Sequence, residues 1–168
     1  MITKTIALGV DGLKLSGRLY LPGEPSPYPT VCVCHGIPGR IYDPTDTGYA
    51  FLAERLCREG LAILLFNFRG AGASEGNLDL LGWTRDLGAT LNYLYALPEV
   101  DRSRLALLGF SGGAAVSIHV ASQDKRICLV ASCASPAEFD FFTEPQSLID
   151  YFRGLGLIRD KDFPPSIE

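Results

Sequence analysis

One stretch constrains this chain more than any other: Leu105-Ala-Leu-Leu-Gly-Phe-Ser-Gly-Gly-Ala-Ala-Val-Ser-Ile-His119. It opens as an apolar strand, turns at Gly109-Phe110-Ser111-Gly112-Gly113, and runs on as small residues with helical character. A G-x-S-x-G pattern has meaning only in this strand–turn–helix setting. Glycines two positions either side of the serine are needed because the turn leaves no room for a Cβ. The serine itself is then expected at positive φ, its hydroxyl lifted clear of the sheet. The following helix aims its free N–H groups and the positive end of its dipole at any charge developing on a bound carbonyl. The plainer alternative is a glycine-rich turn carrying an ordinary serine.

The rest of the chain supplies that setting. Leu15, Gly17, Leu19 and Leu21 alternate with Lys14, Ser16, Arg18 and Tyr20, so residues 3–22 read as an antiparallel hairpin turning at Val10-Asp11-Gly12. The prolines between Pro22 and Pro29 predict a loop. Thr30–His35, Leu61–Phe66, Leu105–Phe110 and Ile127–Cys133 are short apolar runs that read as buried strands. Between them, Tyr49–Arg58 has helical spacing with Phe51, Leu52, Leu56 and Ala53 on one face, closed by Gly60. Trp83–Leu97 is a second helix, with Leu87, Leu91, Leu94 and Tyr95 recurring and Pro98 as the stop. Strands alternating with helices define an α/β architecture: a mostly parallel sheet, helices on both faces, entered through an antiparallel N-terminal hairpin. Ligand-binding groups in such sheets lie at the carboxyl ends of the strands. His35-Gly36, Arg69-Gly70, Ser111 and Ala134-Ser135 all fall there.

Composition narrows the classes of partner. A net charge of −4 over 168 residues offers nothing to a phosphate backbone, which excludes nucleic acid. No apolar run approaches the roughly 18 residues of a membrane span, and the N-terminus lacks a basic region followed by an apolar one, so a cytoplasmic protein is expected. Cys32, Cys34, Cys57, Cys128 and Cys133 are odd in number and read as buried free thiols. Two histidines cannot furnish a metal site, and no cofactor motif is present. Gly70-Ala-Gly72 is no dinucleotide turn, because position 75 is glutamate where the fingerprint needs a third glycine.

Three features in order resemble the α/β-hydrolase superfamily. His35-Gly-Ile-Pro-Gly39 is similar to the H-G-x-P-G oxyanion loop of proline iminopeptidase-like and serine aminopeptidase-like members. Phe66-Asn-Phe-Arg-Gly-Ala-Gly-Ala-Ser74 resembles the D-x-R-G-x-G-x-S turn after the fourth strand, with Asn67 in place of the aspartate. The third is the Ser111 turn, whose lead-in Val100-Asp-Arg-Ser-Arg-Leu resembles prolyl-oligopeptidase-like and dienelactone-hydrolase-like relatives. The resemblance spans residues 3–136 and implies that Ser111 attacks an acyl carbon of a small-molecule ester, thioester or peptide. It further implies that the backbone N–H groups of Ile37 and Gly112 hold the oxyanion, with no metal or cofactor.

The resemblance also implies an acid and a histidine after later strands, and neither strand is found here. His119 lies eight residues beyond Ser111, about 12 Å along a helix, too far to serve it. His35 shapes the oxyanion loop in the resembling families and does not act as base. Asp140 follows the sixth strand but has no histidine to orient. Arg69 reads equally as a substrate-carboxylate ligand or as a structural pair for its own turn, and Trp83, Phe110, Phe141 and Phe142 as core rather than acyl pocket. Residues 137–168, with an amphipathic helix over Ser147–Leu157, read as the start of a cap insertion on a core of residues 1–136. The expectation is therefore the N-terminal two-thirds of a serine hydrolase, inactive alone, completed by a C-terminal segment or a second copy. The alternative is a non-catalytic binding module on the same fold.

Overall fold

The computed structural model describes residues 1–23, 25–41, 45, 48–137 and 145–163. Two nine-residue strands, β1 (Ile2–Val10) and β2 (Leu13–Leu21), pair antiparallel along their whole length. Their two-residue turn places Asp11 at φ +52° and Gly12 at φ +77°, the doubly left-handed geometry that matches strand twist. Then follow β3 (Tyr28–Cys34), α1 (Gly48–Arg58), β4 (Ala62–Phe66), α2 (Leu80–Ala96), β5 (Val100–Phe110), α3 (Gly112–Gln123), β6 (Ile127–Cys133) and α4 (Pro145–Gly154). The strands form one sheet in the order β1-β2-β4-β3-β5-β6. Pairing is antiparallel from β1 to β4 and parallel from β4 to β6.

This topology positions the site. The chain leaves β3 for β4 on one side and returns to β5 on the other, so a crevice opens at the carboxyl end of β3. Helices cover both faces. α1 lays Ala53 and Cys57 against Tyr20, Val33 and Ile63. On the other face Trp83, Leu87, Leu91 and Leu94 of α2 and Val116 of α3 pack with Leu19, Cys32, Cys34, Leu64 and Leu107. Phe152, Leu157 and Ile158 join that same cluster, and Leu78 N–H donates to Leu157 O at 2.7 Å. Arg159 donates to the carbonyls of Ser74 (2.7 Å) and Gly72 (3.2 Å), fastening the segment after α4 to the turn after β4.

Four expectations need correcting. On α1, Ala53 is buried and Leu56 packs partly against the core as expected, but Cys57 joins them and Phe51 is 63% exposed beneath the Arg55 guanidinium. Small residues four apart let the helix sit close to the sheet, and Phe51 turns outward. β3 begins at Tyr28, inside the stretch read as a proline loop, because Tyr28 N–H bonds Glu99 O and Pro29 needs no donor there. α2 starts three residues earlier than its apolar repeat, at Leu80. β6 is not buried: among the described residues it pairs with β5 alone, and Leu129 is 58% exposed. Cys128 and Cys133 on β6 are therefore exposed, while Cys32, Cys34 and Cys57 are buried as expected.

Candidate active site

Ser111 stands between the end of β5 and the first residue of α3 at φ +48°, ψ −123°. For a residue with a Cβ this conformation costs on the order of 1–3 kcal/mol and survives only where the surroundings over-determine it. They do so here. Its N–H donates to Cys133 O at 2.9 Å, and its carbonyl accepts from Ala114 N–H at 2.9 Å and Ala115 N–H at 3.2 Å. A Cβ at Gly109 would lie 2.5 Å from the Ala114 Cα, and one at Gly113 would overlap the carbonyls that end β3. Both flanking glycines are thus required by contact. The serine side chain caps nothing and the residue is exposed.

The loop after β3 lies directly alongside. A Cβ built on Gly36 would sit 3.0 Å from Ser111 Cβ and 3.7 Å from its Oγ. One built on Gly112 would meet Ile37 Cγ1 at 3.2 Å. Gly36-Ile37 and Ser111-Gly112 are therefore side by side.

His35 holds that loop. Phe68 N–H donates to its Nε2 at 3.1 Å, and a backbone N–H can only donate, so Nε2 carries the lone pair. The proton is then on Nδ1, which donates to Gly36 O at 2.7 Å. Edges of the ring meet Phe68 at 5.2 Å and Trp83 at 5.4 Å. Burial lowers its pKa, opposed by the Gly36 bond, so the ring is a neutral strut with both nitrogens engaged. His119 lies exposed on α3, its Nε2 3.3 Å from Gln123 Nε2. Neither histidine is brought to Ser111. Asp140, Phe141 and Phe142 lie outside the described residues, and among the described ones no cluster of three metal-ligating side chains occurs.

The turn after β4 answers the question of Arg69. The residue is 5% exposed, and its guanidinium donates from Nε (3.0 Å) and Nη2 (2.7 Å) to Asp86 Oδ1, while its backbone N–H donates to Asp86 Oδ2 at 2.8 Å. Nη2 also reaches Asp11 Oδ2 at 2.7 Å. Trp83 Nε1 donates to Arg69 O at 3.0 Å, and the indole stacks on Phe68 at 4.3 Å. Arg69 is a structural pair, and Trp83 is core. Asp86 was not singled out from sequence; its only signal is a carboxylate flanked by the buried stripe of Trp83, Leu87 and Leu91.

Asn67 takes the position of the missing aspartate. Its N–H donates to Ser16 O (2.9 Å), its Nδ2 to Ser16 Oγ (3.1 Å), and its carbonyl accepts from Ser74 Oγ (2.6 Å). Gly72, at φ +52°, passes so close to the Asn67 amide that a Cβ would fall 2.5 Å from Nδ2. Beside these loops, between β2 and the N-terminus of α1, opens a cavity of about 600 Å³. Gly36, Ile37, Asn67 and Gly72 line it, and so does Tyr49, whose ring meets Phe110 edge-on at 5.2 Å. Burial raises the Tyr49 phenol, opposed by the Gly36 backbone, so it stays a neutral hydrogen-bond donor. Sequence reasoning missed Tyr49 as a site neighbour, because it lies twelve residues past Ile37 at the start of a helix.

Sheet order, the strained serine after β5 and the glycine loop after β3 together define an α/β hydrolase. The family described as "Esterase FrsA-like" matches residues 1–152, and the chain belongs to it. A thiohydrolase, aneE, of Aspergillus aculeatus is 33% identical over 141 residues, 82% of this chain and 42% of that protein. The chain thus spans about two fifths of that relative's length. Among solved structures, the Pyrococcus furiosus esterase Pf2001 is 28% identical with a TM-score of 0.70, covering 94% of this chain and 64% of its own. The α/β hydrolase GrgF from Penicillium shares the fold at a TM-score of 0.74 and 22% identity, over 92% of this chain and 53% of its own.

Proposed function

We propose that this chain carries the nucleophile and oxyanion half of a serine hydrolase acting on an ester, thioester or small peptide. The observation that carries the reading is the backbone of Ser111, held at φ +48° by three main-chain hydrogen bonds while its side chain caps nothing and the residue stays exposed. Ser111 Oγ attacks the acyl carbon as its proton passes to a base. The tetrahedral oxygen then accepts hydrogen bonds from the N–H groups of Ile37 and Gly112, donors of a kind worth about 2.7–4 kcal/mol at a transition state. Collapse expels the alcohol, thiol or amine with that proton, and water cleaves the acyl-serine to regenerate Ser111. The thiohydrolase and esterase names of its relatives support the ester and thioester end of this range.

On this reading the base and its acid are supplied by a C-terminal segment or a second copy of the chain. His35 is engaged at both nitrogens and His119 is exposed on α3 against Gln123, which supports a base from another source. Residues 137–168 are read as the root of a cap over the site. The 168-residue chain is expected to turn over p-nitrophenyl esters very weakly, and a form extended by a segment supplying histidine and acid to do so efficiently, with loss on Ser111→Ala. Full turnover by the 168 residues alone would place the base within them and overturn this assignment. The engagement of both histidines also favours a second reading, a binding module without catalysis. Failure of the extended form to turn over any ester would select it.

A further inference from the structure

The cavity beside Gly36 has an unusual wall. The protein carries a net charge of −4, yet among the described residues lining this cavity the charged side chains are Arg18 and Arg40 and no carboxylate is present. Arg18 is exposed on β2, between Thr5 of β1 and Leu65 of β4, and has no acidic partner among the described residues. Its face of β2 also presents Ser16 and Tyr20 to the same cavity. The turn after β4 adds to the pattern. Where the resembling motif has an aspartate, Asn67 stands in the wall, so the site lacks a negative charge at that position. A cation with no counter-charge among the described residues, in a concave site of about 600 Å³ that also offers Tyr49 as a neutral polar group, is built for an anion.

We propose that this cavity binds a carboxylate at the far end of the substrate, with Arg18 as its counter-ion, so that the preferred substrates are esters or thioesters bearing a negative charge. The orientation rests on Ser111 being the nucleophile; the anion site does not. Order in the sheet sets the length. β2 and β5 are three strand spacings apart, about 14 Å. That leaves room for a chain of several carbons between the reacting carbonyl and the carboxylate.

The test is binding, read by amide chemical shifts of the ¹⁵N-labelled chain titrated with monomethyl suberate (one carboxylate) and with dimethyl suberate (none). Saturable shifts at Arg18, Gly36 and Tyr49 are expected for the monoester, weakening with added salt. Arg18→Gln should weaken the monoester roughly tenfold, the scale of one charge-assisted hydrogen bond, and Arg18→Lys should retain most of it. Arg18 is exposed, and the spectrum of each variant reports its fold directly. Equal binding of the two esters, no effect of Arg18→Gln, or no saturable binding would each overturn the proposal. If the monoester binds saturably while fluorophosphonate fails to label Ser111, the nucleophile is wrong and the anion site stands. If Ser111 labels but the monoester does not bind, the reverse is true.

Discussion

The turns after β4 and β5 end strands on either side of β3, both are rich in glycine, and they are built in opposite ways. The turn after β5 is held by sterics and main-chain bonds: Gly109 and Gly113 make room, the backbone of Ser111 is strained, and its side chain is spared. The turn after β4 is held by charge. Arg69, Asp86, Asp11, Asn67, Ser16 and Ser74 spend their polar atoms on one another. A side chain kept free at the expense of backbone strain is available for chemistry, while one consumed by partners is scaffold. His35 joins the two, bonding the Phe68 N–H of one turn and steadying the Gly36 loop that borders the other.

Breaking the charged turn should have the largest effect. Asp86→Ala leaves Arg69 buried with Asp11 at 2.7 Å and Asp79 at 3.9 Å as its remaining partners, and removing one member of a buried pair costs about 3–5 kcal/mol. Urea unfolding should show that loss, and Arg69→Met combined with Asp86→Leu should recover much of it. A loss below about 1 kcal/mol for Asp86→Ala would mean that charge does not hold this turn.

The bridging histidine makes the next prediction. Its folded pKa is depressed by burial below the ordinary 6.5, so the unfolded chain takes up a proton that the folded chain refuses. Its contribution is therefore complete above about pH 6.5 and falls away below it, by at most about 1.4 kcal/mol per pH unit, until the folded pKa is passed. The slope of stability between pH 7 and 5.5 should flatten in His35→Gln. An unchanged slope would remove His35 as its source.

The smallest effect has the opposite sign. Ser111→Gly relieves a strained φ and should raise stability by about 1 kcal/mol, net of glycine's entropy in the unfolded state. Destabilisation would show that the strain is not there to be relieved.

How much of this was legible in the sequence follows from the same contrast. The Ser111 turn was readable because its demands are local: glycines at fixed offsets, an apolar strand before and small residues after. So was the β1–β2 hairpin, from Asp11-Gly12 and strict alternation. The charged turn was not, because Arg69 finds Asp86 seventeen residues away and Asp11 on another strand, and no spacing records such partners. Exposure of β6 was equally illegible. Leu129, Val130 and the cysteines are apolar enough to be buried, but burial depends on a neighbour at the sheet edge, which a strand's own residues do not specify. On α1, Phe51 misled because bulk was taken for burial, when close packing against β4 favoured Ala53 and Cys57.

The central claim, that the turn after β5 exists to present Ser111, is tested most directly by intact mass after fluorophosphonate treatment of the 168-residue chain. The account predicts a slow, single adduct mapping to Ser111, absent in Ser111→Ala and unchanged in rate in His119→Ala. An adduct that persists in Ser111→Ala, or none even after prolonged exposure, would contradict it.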